Sequence, residues 1–103
     1  MIKVQLFYKP ICEKCDEIRK ILNDLKENSC TQFIFEEYNV DSQIRKENFY
    51  SKKVLVKYGT SQVPFLLFIN EKKEEYAAIY NESKDITKDK ISGNIINGYM
   101  KNL

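Results

Sequence analysis

The chain contains no histidine and no tryptophan, and it has only three cysteines, three glycines and two prolines in 103 residues. The missing histidine excludes imidazole general-base catalysis, Cys–His nucleophile pairs and every zinc site that needs an imidazole ligand. Acid–base work therefore falls to Cys, Lys, Glu, Asp or Tyr. A surplus of one charge is also lacking. Seventeen basic and 15 acidic residues leave a net charge of +2, too weak a field to imply nucleic acid or an anionic membrane as partner. No apolar run approaches the ~20 residues that span a bilayer. The first segment, Met1-Ile2-Lys3-Val4-Gln5-Leu6-Phe7-Tyr8, is apolar but short, and it meets Lys9-Pro10 without a small-residue cleavage site, so no signal peptide is expected. A cytoplasmic location, where thiols are kept reduced, is the expectation. Three cysteines cannot close into a complete disulfide framework.

What is present is the composition of one globular unit. The chain is 43% hydrophobic, without repeats, linkers or low-complexity tracts, and residues 1–103 are expected to form a single domain. A chain of this size buries about two-thirds of its unfolded surface and needs no metal or disulfide staple to fold.

Ile2 to Tyr8 reads as a strand buried on both sides, with Val4 and Leu6 on one face and Phe7 on the other. Lys9-Pro10 ends it. From about Cys12 to Glu27 the period is helical, with Cys15, Ile18, Ile21, Leu22 and Leu25 on one stripe. Thr31 to Val40 reads as a second strand, followed by a helix over Gln43 to Lys57 that Asp41-Ser42 is placed to cap. Ile44, Phe49, Val54, Leu55 and Tyr58 are its apolar candidates. Its centre, Asn48-Phe49-Tyr50-Ser51, is a poor helix former and predicts a break into two short helices. Gly59 suits a left-handed cap. Phe65 to Asn70 and Glu74 to Tyr80 read as a hairpin, and Thr87 to Asn102 as a last helix with Ile91, Ile95, Ile96, Tyr99 and Met100 toward the core. The order is β-α-β-α-β-β-α, an α/β fold with a mixed sheet. Its two early βα units imply a parallel pair with a right-handed crossover.

The chemistry concentrates in Cys12-Glu13-Lys14-Cys15, just after a strand and at the opening of a helix. Backbone N–H groups and the helix dipole at such a position stabilise a thiolate. Cys12, at the helix end, is the expected attacking thiolate. Cys15, one turn in on the apolar stripe, is the expected resolving thiol. Lys9 and Lys14 add positive charge near Cys12. The rival is a metal site. Zinc takes four ligands and the pair supplies two. Cys30 lies past the far end of the helix, about two dozen Å away at ~1.5 Å per residue. By itself Cys30 reads as a small packed side chain. Val63-Pro64, before an apolar strand, fits an ordinary strand-initiating proline, and the local sequence does not separate cis from trans.

Taken together, these segments resemble the thioredoxin superfamily over nearly the whole chain. Tyr8-Lys9-Pro10-Ile11-Cys12-Glu13-Lys14-Cys15 is similar to the glutaredoxin start, a strand followed by Lys-Pro-x-Cys-x-x-Cys. Tyr38-Asn39-Val40-Asp41 resembles the end of the second core strand of thioredoxins, and Tyr58-Gly59 through Val63-Pro64 to Phe68 resembles their segment before and after a cis-proline. The resemblance implies a thioredoxin-like domain over residues 1–103. It implies disulfide oxidoreductase activity through Cys12 and Cys15, a cis Pro64, and Val63 supplying backbone groups to an extended substrate. Lys9 matches the glutaredoxin lysine that meets a glutathione carboxylate. The expected partners are a disulfide-containing protein or glutathione as co-substrate, with a reductase as electron donor. No bound cofactor, metal, nucleic acid or membrane is implied, and a monomer is expected. Two other classes stay open: a non-catalytic binding module, and a glutaredoxin-like metal or iron–sulfur carrier using Cys12.

The departures are specific. Ile11 stands where thioredoxins usually have Trp, and Glu13-Lys14 replaces their Gly-Pro. Leu6 stands where thioredoxins bury an Asp; Glu37, on the neighbouring strand, is the candidate substitute against a plain solvated role. Tyr80-Asn81-Glu82-Ser83-Lys84-Asp85 lacks the glycines of the glutaredoxin glutathione-holding segment.

Overall fold

The computed structural model describes residues 1–28, 32–80, 84 and 86–100, with the side chains of 97–100 left aside. Its elements run β1 (Ile2–Tyr8), α1 (Glu13–Asn28), β2 (Phe33–Asn39), α2 (Arg45–Lys57), β3 (Phe65–Ile69), β4 (Glu75–Ile79) and α3 (Lys88–Met100). The four strands form one sheet in the order β2-β1-β3-β4. β1 pairs parallel with β2, antiparallel with β3, and β3 pairs antiparallel with β4. This is the mixed α/β sheet expected from the element order. Cys30 and the segment 81–83 lie outside the described residues.

Strand alternation divides the core into two layers. Ile2, Val4 and Leu6 of β1 join Ile18, Leu22 and Leu25 of α1 and Ile91 and Ile95 of α3 on one face. Phe7 points the other way and packs with Val54 and Leu55 of α2 and with Phe65 and Leu67 of β3. β1 is thus an interior strand covered on both sides, which is why Leu6 and Phe7 are consecutive apolar residues that are both fully buried. Of the strand's two polar residues, Lys3 is half-buried and Gln5 lies inside. It is buried but satisfied, accepting from the Tyr50 hydroxyl at 2.7 Å and donating to Glu36 at 3.0 Å.

Several expectations for α2 and α3 are corrected. Ser42 and Asp41 do not cap α2. The helix begins at Arg45, with Ile44 in the cap position and no side-chain cap bond. The short polar side chains there close local turns instead: Asn39 Oδ1 accepts the Asp41 N–H at 2.9 Å and Ser42 Oγ accepts the Ile44 N–H at 3.0 Å. Nor does α2 break in its middle. Ser51 is buried and donates to the Glu47 carbonyl at 2.8 Å, so its hydroxyl is satisfied within the helix, and Val54 and Leu55 anchor the following turn. Ile44 and Phe49, taken as core candidates, are exposed. Ile96 also faces outward, at 47% exposure, because the α3 stripe that meets the sheet is carried by Ile91 and Ile95. The side chains of Tyr99 and Met100 lie outside the described set.

The end of α2 is set by Gly59, whose φ of 65° is the left-handed conformation glycine adopts without a Cβ penalty. Its N–H donates to the Val56 carbonyl and that of Thr60 to the Leu55 carbonyl, both at 3.0 Å, the double bond pattern that stops a helix at a glycine. Thr60 Oγ1 then accepts the Gln62 N–H at 3.1 Å, turning the chain toward Pro64 and β3.

Candidate active site

β1 delivers the chain at Tyr8 to an exposed turn, Lys9-Pro10-Ile11, with Ile11 exposed at 99%. Cys12 follows, half-buried, in the residue before α1. It stands where a helix-capping side chain stands: its Sγ accepts the Cys15 N–H at 3.1 Å, and its carbonyl accepts the Asp16 N–H at 3.1 Å. Glu13 and Asp16 add negative charge to the first turn, where the helix dipole favours it. Cys15 is wholly buried on the stripe it shares with Ile18 and Leu22. Cys12 and Cys15 are joined as a disulfide with their Cα atoms 5.2 Å apart. Cys12 is thus partly reachable from solvent and Cys15 is not.

The Val63–Pro64 peptide is cis. Pro64 is buried, and half-buried Val63 packs against the α2 side of the core. The antiparallel register pairs Phe7 with Phe65, so Pro64 enters β3 beside the end of β1 from which the Cys12 loop departs. A cleft of about 280 Å³ opens at this end, lined by Lys9, Val40, Asp41, Lys52, Leu55, Val56, Thr60 and Ser61. Lys9 is therefore brought to the segment that leads into Pro64. Lys14, half-buried in the first turn of α1, is not among the cleft-lining residues. Sequence reasoning missed Asp41, Lys52, Val56, Thr60 and Ser61 as cleft residues. The signal for Thr60 and Ser61 was their place between Gly59 and Pro64; nothing local marked the others.

A charged cluster sits one turn further along α1. Arg19 donates to Glu37 through Nε and to Asp16 at 2.6 Å through Nη1, and its guanidinium lies 4.8 Å from the centre of the Tyr8 ring. The hydrogen bond to Glu37 holds the arginine pKa above its ordinary value. Glu37 is thus engaged in an ion pair rather than simply solvated. Leu6, its neighbour across the β1–β2 ladder, is fully buried and carries no charge. Among the described residues no three His, Cys, Asp or Glu side chains converge as a metal-holding group. No helix among them is long and apolar enough to cross a membrane.

The fold has parallels among solved structures. MTB DsbF, solved in mixed oxidised and reduced forms, matches with a TM-score of 0.67 at 13% identity, over 94% of this chain and 80% of that one. Fasciola hepatica thioredoxin matches with the same TM-score at 18% identity, over 94% and 80% of the two chains. Oxidised thioredoxin O2 from Arabidopsis thaliana matches with a TM-score of 0.67 at 13% identity, over 94% and 74%. The fold is the thioredoxin fold. Within that fold Cys12 and Cys15 are paired at the start of α1. No family model and no curated protein matches the sequence.

Proposed function

We propose that this protein carries out thiol–disulfide exchange through Cys12 and Cys15. The observation that carries the proposal is the capping geometry: the Sγ of half-buried Cys12 accepts the Cys15 N–H at 3.1 Å at the start of α1. In the reduced protein the same N–H and the helix dipole favour a thiolate over a thiol at Cys12. The Cys12 thiolate attacks one sulfur of a substrate disulfide. The other substrate sulfur leaves with the electron pair of the broken S–S bond and takes a proton. Cys15, deprotonated, then attacks Cys12 Sγ. This expels the second substrate sulfur and leaves the protein oxidised and the substrate a dithiol. Running in reverse, the same steps oxidise a dithiol.

Val63 offers its backbone to an extended substrate at the mouth of the site, with Pro64 fixing the approach of that segment. Lys9 supplies positive charge at the cleft, and Lys14 at the first helical turn. The substrate class is a protein disulfide, with glutathione as the second candidate through the Lys9 resemblance. A reductase, or glutathione itself, returns the electrons. We place the activity in the cytoplasm, on a monomer without a bound cofactor.

The test is equilibration in defined redox buffers with free thiols counted. A reversible two-electron transition between about −180 and −280 mV is expected, the range of working exchange proteins. Cys15→Ser should then accumulate a stable mixed disulfide on Cys12 when given a disulfide substrate, seen as an added mass that dithiothreitol removes. If no intramolecular disulfide forms across that range, the exchange mechanism fails.

A further inference from the structure

We infer that the outward face of α2 is a docking surface for an acidic, partly apolar segment of a protein partner. The inward side of this helix is spent on the core through Ser51, Val54 and Leu55. On the opposite side Arg45, Phe49, Lys52 and Val56 follow one another at spacings of four, three and four, which places them in a single stripe. Phe49 is 68% exposed and Val56 78% exposed, and Lys46 and Lys53 flank the stripe. α2 carries five basic residues (Arg45, Lys46, Lys52, Lys53, Lys57) against one acid (Glu47), so this one helix is +4 in a chain of net +2.

These cations are available. Lys57 is turned aside to Glu75 at 2.5 Å, but Arg45, Lys46, Lys52 and Lys53 pair with no carboxylate among the described residues. The stripe is also continuous with the candidate active site. Lys52 and Val56 line the cleft that Lys9, Thr60 and Ser61 close on its far side, with Asp41 its single acid. A chain laid along α2 therefore runs toward the segment that precedes Pro64.

Charge complementarity calls for an acidic occupant. Two apolar side chains one heptad apart, about 10.5 Å along the helix, call for paired apolar anchors on a peptide rather than a broad apolar sheet. A bilayer surface would instead need a continuous apolar face, and here the cations sit between Phe49 and Val56. The inference deepens the exchange reading, on which it rests for what a docked chain delivers; the docking itself is measured separately.

The test uses the full chain and a fluorescein-labelled, cysteine-free peptide carrying several Glu residues with two Leu anchors seven apart. Its counterpart has every Glu replaced by Gln. Anisotropy titration should give about tenfold tighter binding of the acidic peptide at low salt, with the gap closing as ionic strength rises and the Debye length shrinks to about 8 Å or less. The charge-reversed variant Lys46→Glu/Lys52→Glu/Lys53→Glu should lose the preference. Phe49→Ser should weaken binding of both peptides at least threefold. All four positions are exposed, and a melting curve for each variant verifies the fold. Equal affinity for the two peptides would overturn the inference. So would an unchanged preference in the charge-reversed variant, or binding to phosphatidylserine vesicles with none to the acidic peptide. The exchange reading is checked on the same wild-type sample with a small aromatic disulfide. Peptide docking without any turnover of that disulfide would leave the docking surface standing and remove the exchange chemistry.

Discussion

Replacing Gly59 with alanine isolates the cost of one backbone conformation at the helix end that leads into the Thr60–Pro64 segment. Gly59 sits at φ 65°, and a Cβ built there meets nothing within 4 Å. Steric overlap therefore contributes nothing, and the penalty is that of holding an L-residue in the left-handed region, about 1–2 kcal/mol. Part of it, ~0.5–1 kcal/mol, is offset because alanine has less freedom to lose from the unfolded chain than glycine. The net expectation is a loss of about 1 kcal/mol, or a fall in melting temperature of about 4–8 °C for a domain of this size. Asparagine, which tolerates this region, should lose about half as much. Differential scanning calorimetry on wild type, Gly59→Ala and Gly59→Asn reads both numbers. The bonds from Gly59 and Thr60 to Val56 and Leu55 tie the helix end to the Thr60–Val63 segment. The alanine variant should therefore also raise KM for a peptide disulfide more than it lowers kcat. An alanine variant that melts within about 1 °C of wild type, or below which asparagine falls, would refute the conformational account.

Leu22→Ala removes a fully buried side chain from the layer shared by α1, α3 and β1. It should cost about 3–4 kcal/mol in urea unfolding, and a loss under ~1 kcal/mol would mean the layer is not packed as described. At high pH, burial pushes Tyr38, Tyr58 and Tyr80 up to about 12, with Glu36 adding to the effect at Tyr38 and Glu75 at Tyr58. Because these folded-state values lie above the unfolded value of 10.0, the stability they contribute is fully present below pH 10 and lost as pH rises toward 12. Absorbance titration near 295 nm should show at least three of the seven tyrosines ionising late in the folded chain and together in urea. A single folded-state transition near pH 10 for all seven would refute that placement.

How much of this was legible in the sequence depended on how local its cause was. The element order and the two faces of β1 could be read because alternation and helical period are written directly in Val4, Leu6 and Phe7 and in Ile18, Leu22 and Leu25. The cysteine pair could be read because Lys9-Pro10 ends the strand two residues before Cys12. The α2 cap was misjudged because Ser42 has two competing uses, and the local turn to Ile44 won, while the helix itself starts beyond Asp41 and Ser42 with Ile44 in the cap position. Phe49 was misjudged because an apolar residue at a helical spacing reads as core. Only the fold reveals that Ser51, Val54 and Leu55 already fill the inner side of α2. Beyond Lys9 and the Thr60–Ser61 segment the cleft was not legible, since it joins the ends of β1 and β2 to the outer edge of α2.

The departure at Leu6 poses the sharpest mechanistic question, because the resolving step needs somewhere for the Cys15 proton to go. Glu37 lies beside Leu6 in the β1–β2 ladder and is the nearest equivalent by position. Its carboxylate, however, is already held by Arg19, which also binds Asp16 and lies over the Tyr8 ring. A carboxylate neutralised by a guanidinium and more than a third exposed is a poor proton acceptor for a fully buried thiol. Under the proposed exchange mechanism, proton removal from Cys15 then falls to water or to the departing substrate thiolate as the disulfide opens. Glu37→Gln keeps an oxygen for Arg19 Nε and removes the charge, at a stability cost below about 1 kcal/mol for so exposed a pair. Its exchange rate should follow wild type within about twofold from about pH 6 to 9. A profile displaced by a full pH unit, or a tenfold slower release of the mixed disulfide, would instead make Glu37 the group that takes the proton.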